Sequence, residues 1–159
     1  MAEETTLFQS IDYIVNICEN YVTANNLDDC VVYNGPPTGD GAERIQILVA
    51  YNDEEGGAAV NGTAGTSDFG VPVEEYDIDC SISISDGDPD LEGKQGEVRA
   101  LFNSLVGAIR DDKKFGGILG PTGIAEITGF VFSQDHDTDN SYVVGAFSVG
   151  VRGATIWNG

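Results

Sequence analysis

The chain has 159 residues and a formal net charge of −20, from 27 Asp and Glu against 7 Lys and Arg. Grip on nucleic-acid phosphates or on an anionic bilayer needs clustered Lys and Arg, so the composition argues against both. Acidic disordered chains are poor in apolar residues; here 41% are hydrophobic, enough for a single folded domain over residues 1–159.

Residues 5 to 24 read as an amphipathic helix. Leu7, Ile11, Ile14, Val15, Cys18 and Val22 recur at helical spacing, with Gln9, Asp12, Asn16, Glu19 and Thr23 between them. Cys30 to Asn34 is a short strand ended by Gly35-Pro36-Pro37. Glu43 to Asn52 is a second strand, with Ile45, Ile47, Val49 and Tyr51 alternating against Arg44, Gln46, Leu48 and Ala50. Asp53 to Gly70 is polar and Gly-rich and reads as a long loop or arm, a length usually reserved for function or disorder.

The clearest period-two signal follows. Tyr76, Ile78, Cys80, Ile82 and Ile84 face one way and Asp77, Asp79, Ser81, Ser83 and Ser85 the other. Val71 and Val73 lie on the opposite parity, which predicts a bulge near Glu74-Glu75. Asp86-Gly87-Asp88-Pro89-Asp90 breaks the strand, and a second amphipathic helix runs from about Glu92 to Lys113. Its apolar face is Val98, Leu101, Phe102, Leu105, Ala108 and Ile109. Phe115-Gly116-Gly117 is a turn; Ala125–Gln134 and Tyr142–Thr155 are strands joined by a polar loop. The order α-β-β-β-α-β-β, without a βαβ repeat, predicts an α+β fold. Two helices cover an antiparallel or mixed sheet of about five strands.

Met1-Ala2-Glu3-Glu4 has neither the basic nor the apolar segment of a signal peptide, so none is expected. No apolar run is long enough to span a bilayer. Cys18, Cys30 and Cys80 show no CxxC spacing, and each sits in an apolar pattern, so they read as buried, reduced thiols. A large net charge destabilises a compact chain by self-repulsion, which salt screens; at about 1 M the Debye length is about 3 Å. A Lys-poor, Asp-rich chain of this kind has the look of a haloarchaeal protein, and a halophilic source is expected. Residues 1–80 hold 16 acids and one base, Arg44, whereas residues 81–159 hold 11 acids and six bases. A basic contact surface therefore belongs to the second half.

Signatures of catalysis are sparse: no P-loop, GxGxxG, HExxH or GxSxG occurs. The single histidine, His136, sits in a polar hairpin tip, where solvation is the ordinary state. Asp86, Asp88, Asp90, Glu92 and Glu97 fall at positions 1, 3, 5, 7 and 12 of an EF-hand-like register. Position 6 is Leu91 and not the required Gly, and Pro89 stiffens position 4. A turn whose acids cap the following helix explains the same pattern without a metal. Asp135, Asp137, Asp139 and Asn140 form a second, weaker cluster. The chain therefore reads as non-enzymatic and free of cofactors, with a weak Ca²⁺ or Mg²⁺ site as the alternative.

The helix Glu97–Arg110, the turn at Phe115-Gly116-Gly117, the strand around Ile124–Phe132 and the closing strand Gly145–Arg152 together resemble one known family. It is the tail terminator, or tail completion, proteins of long-tailed bacteriophages and haloarchaeal tailed viruses. The resemblance spans nearly the whole chain and lies in the order of its elements. It implies a structural virion protein that forms a homo-oligomeric ring, usually a hexamer. Such a ring caps the tail tube and meets the neck or head-completion protein on its other face. DNA passes through the lumen without being gripped, and no membrane is involved. Contact candidates on this reading are the sheet edges, the arm residues Asp53, Gly56, Gly57, Asn61 and Phe69, and the scarce cations Arg99, Arg110, Lys113, Lys114 and Arg152. Another neck or minor tail structural role, or a small acidic cation-binding module, are the alternatives.

Overall fold

One long strand with strict alternation organises the molecule. The computed structural model describes residues 5–36, 43–51, 60–66, 72–86, 88, 90–136 and 141–155. In chain order its elements are α1 (Leu7–Ala24), β1 (Cys30–Asn34), β2 (Ile45–Val49), β3 (Val60–Thr66), β4 (Pro72–Asp86), α2 (Leu91–Asp111), a 3₁₀ turn (Phe115–Gly117), β5 (Ile124–His136) and β6 (Ser141–Thr155). The fold is α+β: among the described residues, two helices pack on a mixed sheet ordered β1-β2-β4-β6-β5, with β3 pairing β4. β4 buries Tyr76, Ile78, Cys80, Ile82 and Ile84, as its alternation predicts.

Three features depart from the sequence reading. Part of the expected 53–70 loop is a strand: β3 pairs antiparallel with the first half of β4, Val60 opposite Ile78 and Thr66 opposite Pro72. Val-Asn-Gly-Thr-Ala-Gly-Thr has no apolar alternation and low strand propensity, so its structure comes from the partner strand and not from its own pattern. This also makes six strands in place of about five and changes the order to α-β-β-β-β-α-β-β. β2 is shorter than the expected 43–52, because Ala50 adopts a left-handed φ of 57° and turns the chain out of the ladder. Finally, β1 and β2 are parallel, with Cys30 opposite Ile45 and Asn34 opposite Val49. The remaining ladders are antiparallel, so the sheet is mixed.

The bulge is present, as a register shift between Glu74 and Tyr76 where β4 pairs with β6. From there Glu74 reaches the start of α1. Its carboxylate accepts from the Thr6 backbone N–H at 2.8 Å and from the hydroxyls of Thr5 and Thr6. Thr6, the N-cap, makes no side-chain cap bond of its own, so this carboxylate serves the orphan N–H and the positive end of the helix. Beside it, Tyr76 Oη lies 2.9 Å from Thr6 Oγ1 and 2.8 Å from Ser10 Oγ, so buried hydroxyls satisfy one another.

Asp90 caps α2 by accepting from Gly93 N at 3.1 Å. The helix stops at Asp111, short of the expected Lys113, because the Asp112 carboxylate captures the N–H groups of Lys114 and Gly116. Both helices cover one face, where Ile11, Ile14 and Cys18 of α1 and Val98, Leu101, Leu105 and Ile109 of α2 join the inward residues of the sheet in one core. Gly145 of β6 lets α2 lie close: a Cβ there would stand 3.1 Å from Phe102 and 3.2 Å from Val98. Cys18, Cys30 and Cys80 are free and buried, and burial pushes the thiols up, Cys18 to about 12 and Cys30 to about 11. No helix among the described residues is long and apolar enough to cross a membrane.

Candidate functional site

The acidic cluster at the β4–α2 junction closes on a cation supplied by the chain itself. Lys94, only 3% exposed, sends its Nζ to Asp86 Oδ1 at 2.7 Å, to the Asp88 carbonyl at 2.6 Å and to the Asp90 carbonyl at 3.3 Å. Ser141 Oγ donates to the same Asp88 carbonyl at 2.9 Å, joining the junction to the start of β6. The Lys94 ammonium holds the Asp86 carboxyl below its ordinary range, helped by the Asp88 N–H. The remaining acids have other tasks. Asp90 caps α2, Glu92 is exposed, and Glu97 makes a two-pronged bond to Arg44 at 2.7 and 3.0 Å. Arg44 also holds Asp29 at 2.7 Å and approaches Asp86 at 3.7 Å.

The carboxylates of the EF-hand-like register do not converge, and position 9, Lys94, fills the loop with an ammonium. Among the described residues no group of three or more metal-ligating side chains comes together. Asp135 is exposed on β5, while Asp137, Asp139 and Asn140 lie outside the described residues.

The scarce cations divide into two sets. Lys114 Nζ donates to the carbonyls of Pro121 and Gly123 at 3.1 and 2.7 Å, pinning the turn before β5. Arg152 pairs with Asp77 at 3.1 Å and donates to the Tyr76 carbonyl at 3.2 Å across the β4–β6 ladder. These two make their polar contacts within the chain. Arg99, Arg110 and Lys113 are exposed and make no ion pair among the described residues. Of the arm residues, Asn61 lies in β3, opposite Asp77 of β4. Asp53, Gly56, Gly57 and Phe69 lie outside the described residues.

Among the described residues the most exposed apolar surface is the outer strand of the sheet. β5 pairs with β6 alone among the described residues, and Phe130, Val131 and Phe132 are 73, 61 and 53% exposed. Phe130 and Phe132 lie opposite Phe147 and Gly145, on the helix-covered face; Val131 lies opposite Ala146, on the other. Between α2 and β5 they line a groove of about 250 Å³ with Val98, Phe102 and Gly145, and Arg99 stands beside it. From Ile127 to Gln134 the strand carries no charge. The helix-free face is a shallow trough of mixed side chains, in which Ser81, Ser83, Ser133 and Ser148 lie beside the larger Leu48, Tyr51, Tyr142 and Val144. Asp77 and Asp79 belong to the same face.

Sequence reasoning pointed to the sheet edges in general but missed Phe130, Val131 and Phe132. The signal was available: three large apolar residues in succession place hydrophobic groups on both faces of a strand, which a one-sided sheet does not require. Lys94 was also missed, although a lone lysine inside a run of acids is the natural candidate for their counter-ion. A scan of protein-family models finds no match, and a search of curated proteins finds none either.

Proposed function

We propose that this chain is a structural assembly protein of a halophilic tailed virus, acting as the tail terminator. In this role a homo-oligomeric ring, hexameric in the family it resembles, caps the tail tube and joins it to the neck. The observation that carries the reading is the exposed aromatic edge strand. In a chain of net charge −20, the uncharged stretch with Phe130, Val131 and Phe132 is where another subunit can approach without repulsion. Burying each such side chain is worth roughly 1.5–3 kcal/mol, whereas a surface ion pair contributes under about 1 kcal/mol. Contacts built on this edge therefore outweigh those built on the scarce cations. The helix-free face, with Asp79 and exposed Glu126 beside the Arg152–Asp77 pair, suits a lumen that a passing DNA duplex slides through without being gripped.

The test is mass measurement in molar KCl, with and without the tail tube protein of the same virus, combined with electron microscopy of tube length. A ring-sized oligomer that halts tube growth is the expected result. A monomer at every salt concentration, even with tube protein present, would overturn the reading. A ring that leaves tube growth unaffected would favour another neck or minor tail role.

A further inference from the structure

The sheet has a second open side, and its chemistry matches the first. β3 pairs only with β4 among the described residues, so its outer edge is the far side of the sheet from β5. Val60 to Thr66 carries no charge, and Gly62, Thr63, Ala64, Gly65 and Thr66 are exposed. An open edge presents unpaired backbone donors and acceptors, and natural sheets usually blunt it with charge or proline. Neither β3 nor the Ile127–Gln134 stretch of β5 contains either.

Strand direction decides how the two edges can meet. β5 is antiparallel to β6, β6 to β4, and β4 to β3. Hence β5 and β3 run in opposite senses within one chain. Copies repeated side by side about an axis along the strands would bring β5 of one against β3 of the next as an antiparallel pair.

Resting on the ring reading above, we propose that the occupant of the β5 edge is β3 of a second copy, joined by antiparallel strand addition. Two observations select a second copy over a foreign segment. The chain carries its own complementary edge, uncharged and opposite in direction. The groove's rim cation, Arg99, has no ion pair among the described residues, and every neighbouring copy is strongly acidic. Phe130 and Phe132 then bury against the incoming strand, and Arg99 meets acids from the same neighbour. Because the two edges differ, the contact is head-to-tail, the kind that repeats around a ring when its rotation closes and does not stop at a dimer.

Two variants that leave the isolated fold unstrained test this. Phe130→Glu alters a side chain that is mostly in solvent, and a Cβ at Gly65 meets no atom within 4 Å, so Gly65→Glu is accommodated. Sedimentation in molar KCl would compare wild type, each variant, and an equimolar mixture, with circular dichroism confirming each fold. The wild type should form a closed oligomer larger than a dimer. Each variant alone should lose self-association by about 30-fold or more, the scale of a hot-spot residue. The mixture should give dimers and nothing larger, since each pair has one intact β5 and one intact β3. Wild-type-like rings from either variant would overturn the edge pairing and leave the ring reading standing. A Gly65→Glu protein that dimerises while Phe130→Glu is monomeric would mean β5 meets β5, overturning the head-to-tail contact. A wild type that is monomeric at all salts on its own would overturn the edge pairing, and one that stays monomeric with tube protein added would overturn the ring reading as well.

Discussion

Lys94 shows how one side chain decides what an acidic loop is. Five acids spaced like cation ligands would repel one another, and the chain neutralises the inner part of the group with a buried ammonium tied to a carboxylate and two carbonyls. Truncating one partner of such a group leaves the others desolvated and unpaired. Lys94→Met keeps the apolar stem but loses the charge, and should cost about 2 kcal/mol in urea denaturation at neutral pH. The pH dependence follows from the lowered Asp86 carboxyl. A carboxyl whose folded value lies below the ordinary 3.8 contributes its full stability above that pH and loses it as pH falls through the folded value. The gap between wild type and Lys94→Met should therefore be constant near neutrality and narrow below about pH 4. A gap unchanged down to pH 2 would show that the Asp86 pairing is not its source.

At the scale of elements, legibility tracked how much of each element is dictated by its own residues. α1 and β4 could be read directly, because Ile11, Ile14 and Cys18 fall at helical spacing and Tyr76 to Ile84 alternate without a break, and all are buried. β3 could not be read, since a strand of Gly, Thr and Ala exists only because β4 offers it a ladder. The parallel β1–β2 pair was equally hidden, as its connecting segment has no helical crossover pattern to announce it. The contact candidates divided similarly. Composition could mark scarce cations, but only the folded chain separates Lys114 and Arg152, used internally, from exposed Arg99. A cap donated from elsewhere in the chain is another such feature. Glu74 stands 68 residues from the Thr6 N–H it accepts. Glu74→Ala should destabilise the protein by about 1 kcal/mol, the usual worth of a cap. Amide exchange should quicken most in the first turn of α1. Uniform acceleration across β4 instead would assign Glu74 to the bulge and not to the helix.

Charge governs the whole molecule: no Asp or Glu among the described residues is buried, and the core is apolar. The ion pairs formed by Arg44, Lys94 and Arg152 offset only part of the 27 acids. Self-repulsion should accordingly be relieved by screening. The melting temperature should rise by several degrees or more from 0.1 to 2 M KCl, in the monomeric Phe130→Glu variant as well as in wild type. An unchanged melting temperature in that variant would mean that repulsion is not limiting, and that a halophilic source is not needed to explain the composition.

The position of β6 between β4 and β5 has a consequence for biosynthesis. Translation delivers α1, the first four strands and α2 before β5, and β6 after all of them. A nascent chain therefore has β4 in place with one flank open, and it cannot seat β5 until β6 emerges to bridge them. The aromatic edge reaches its native position only as the sheet is closed from the middle. Neighbouring nascent chains on one messenger thus cannot dock through a finished β5 edge while β6 is still to be made.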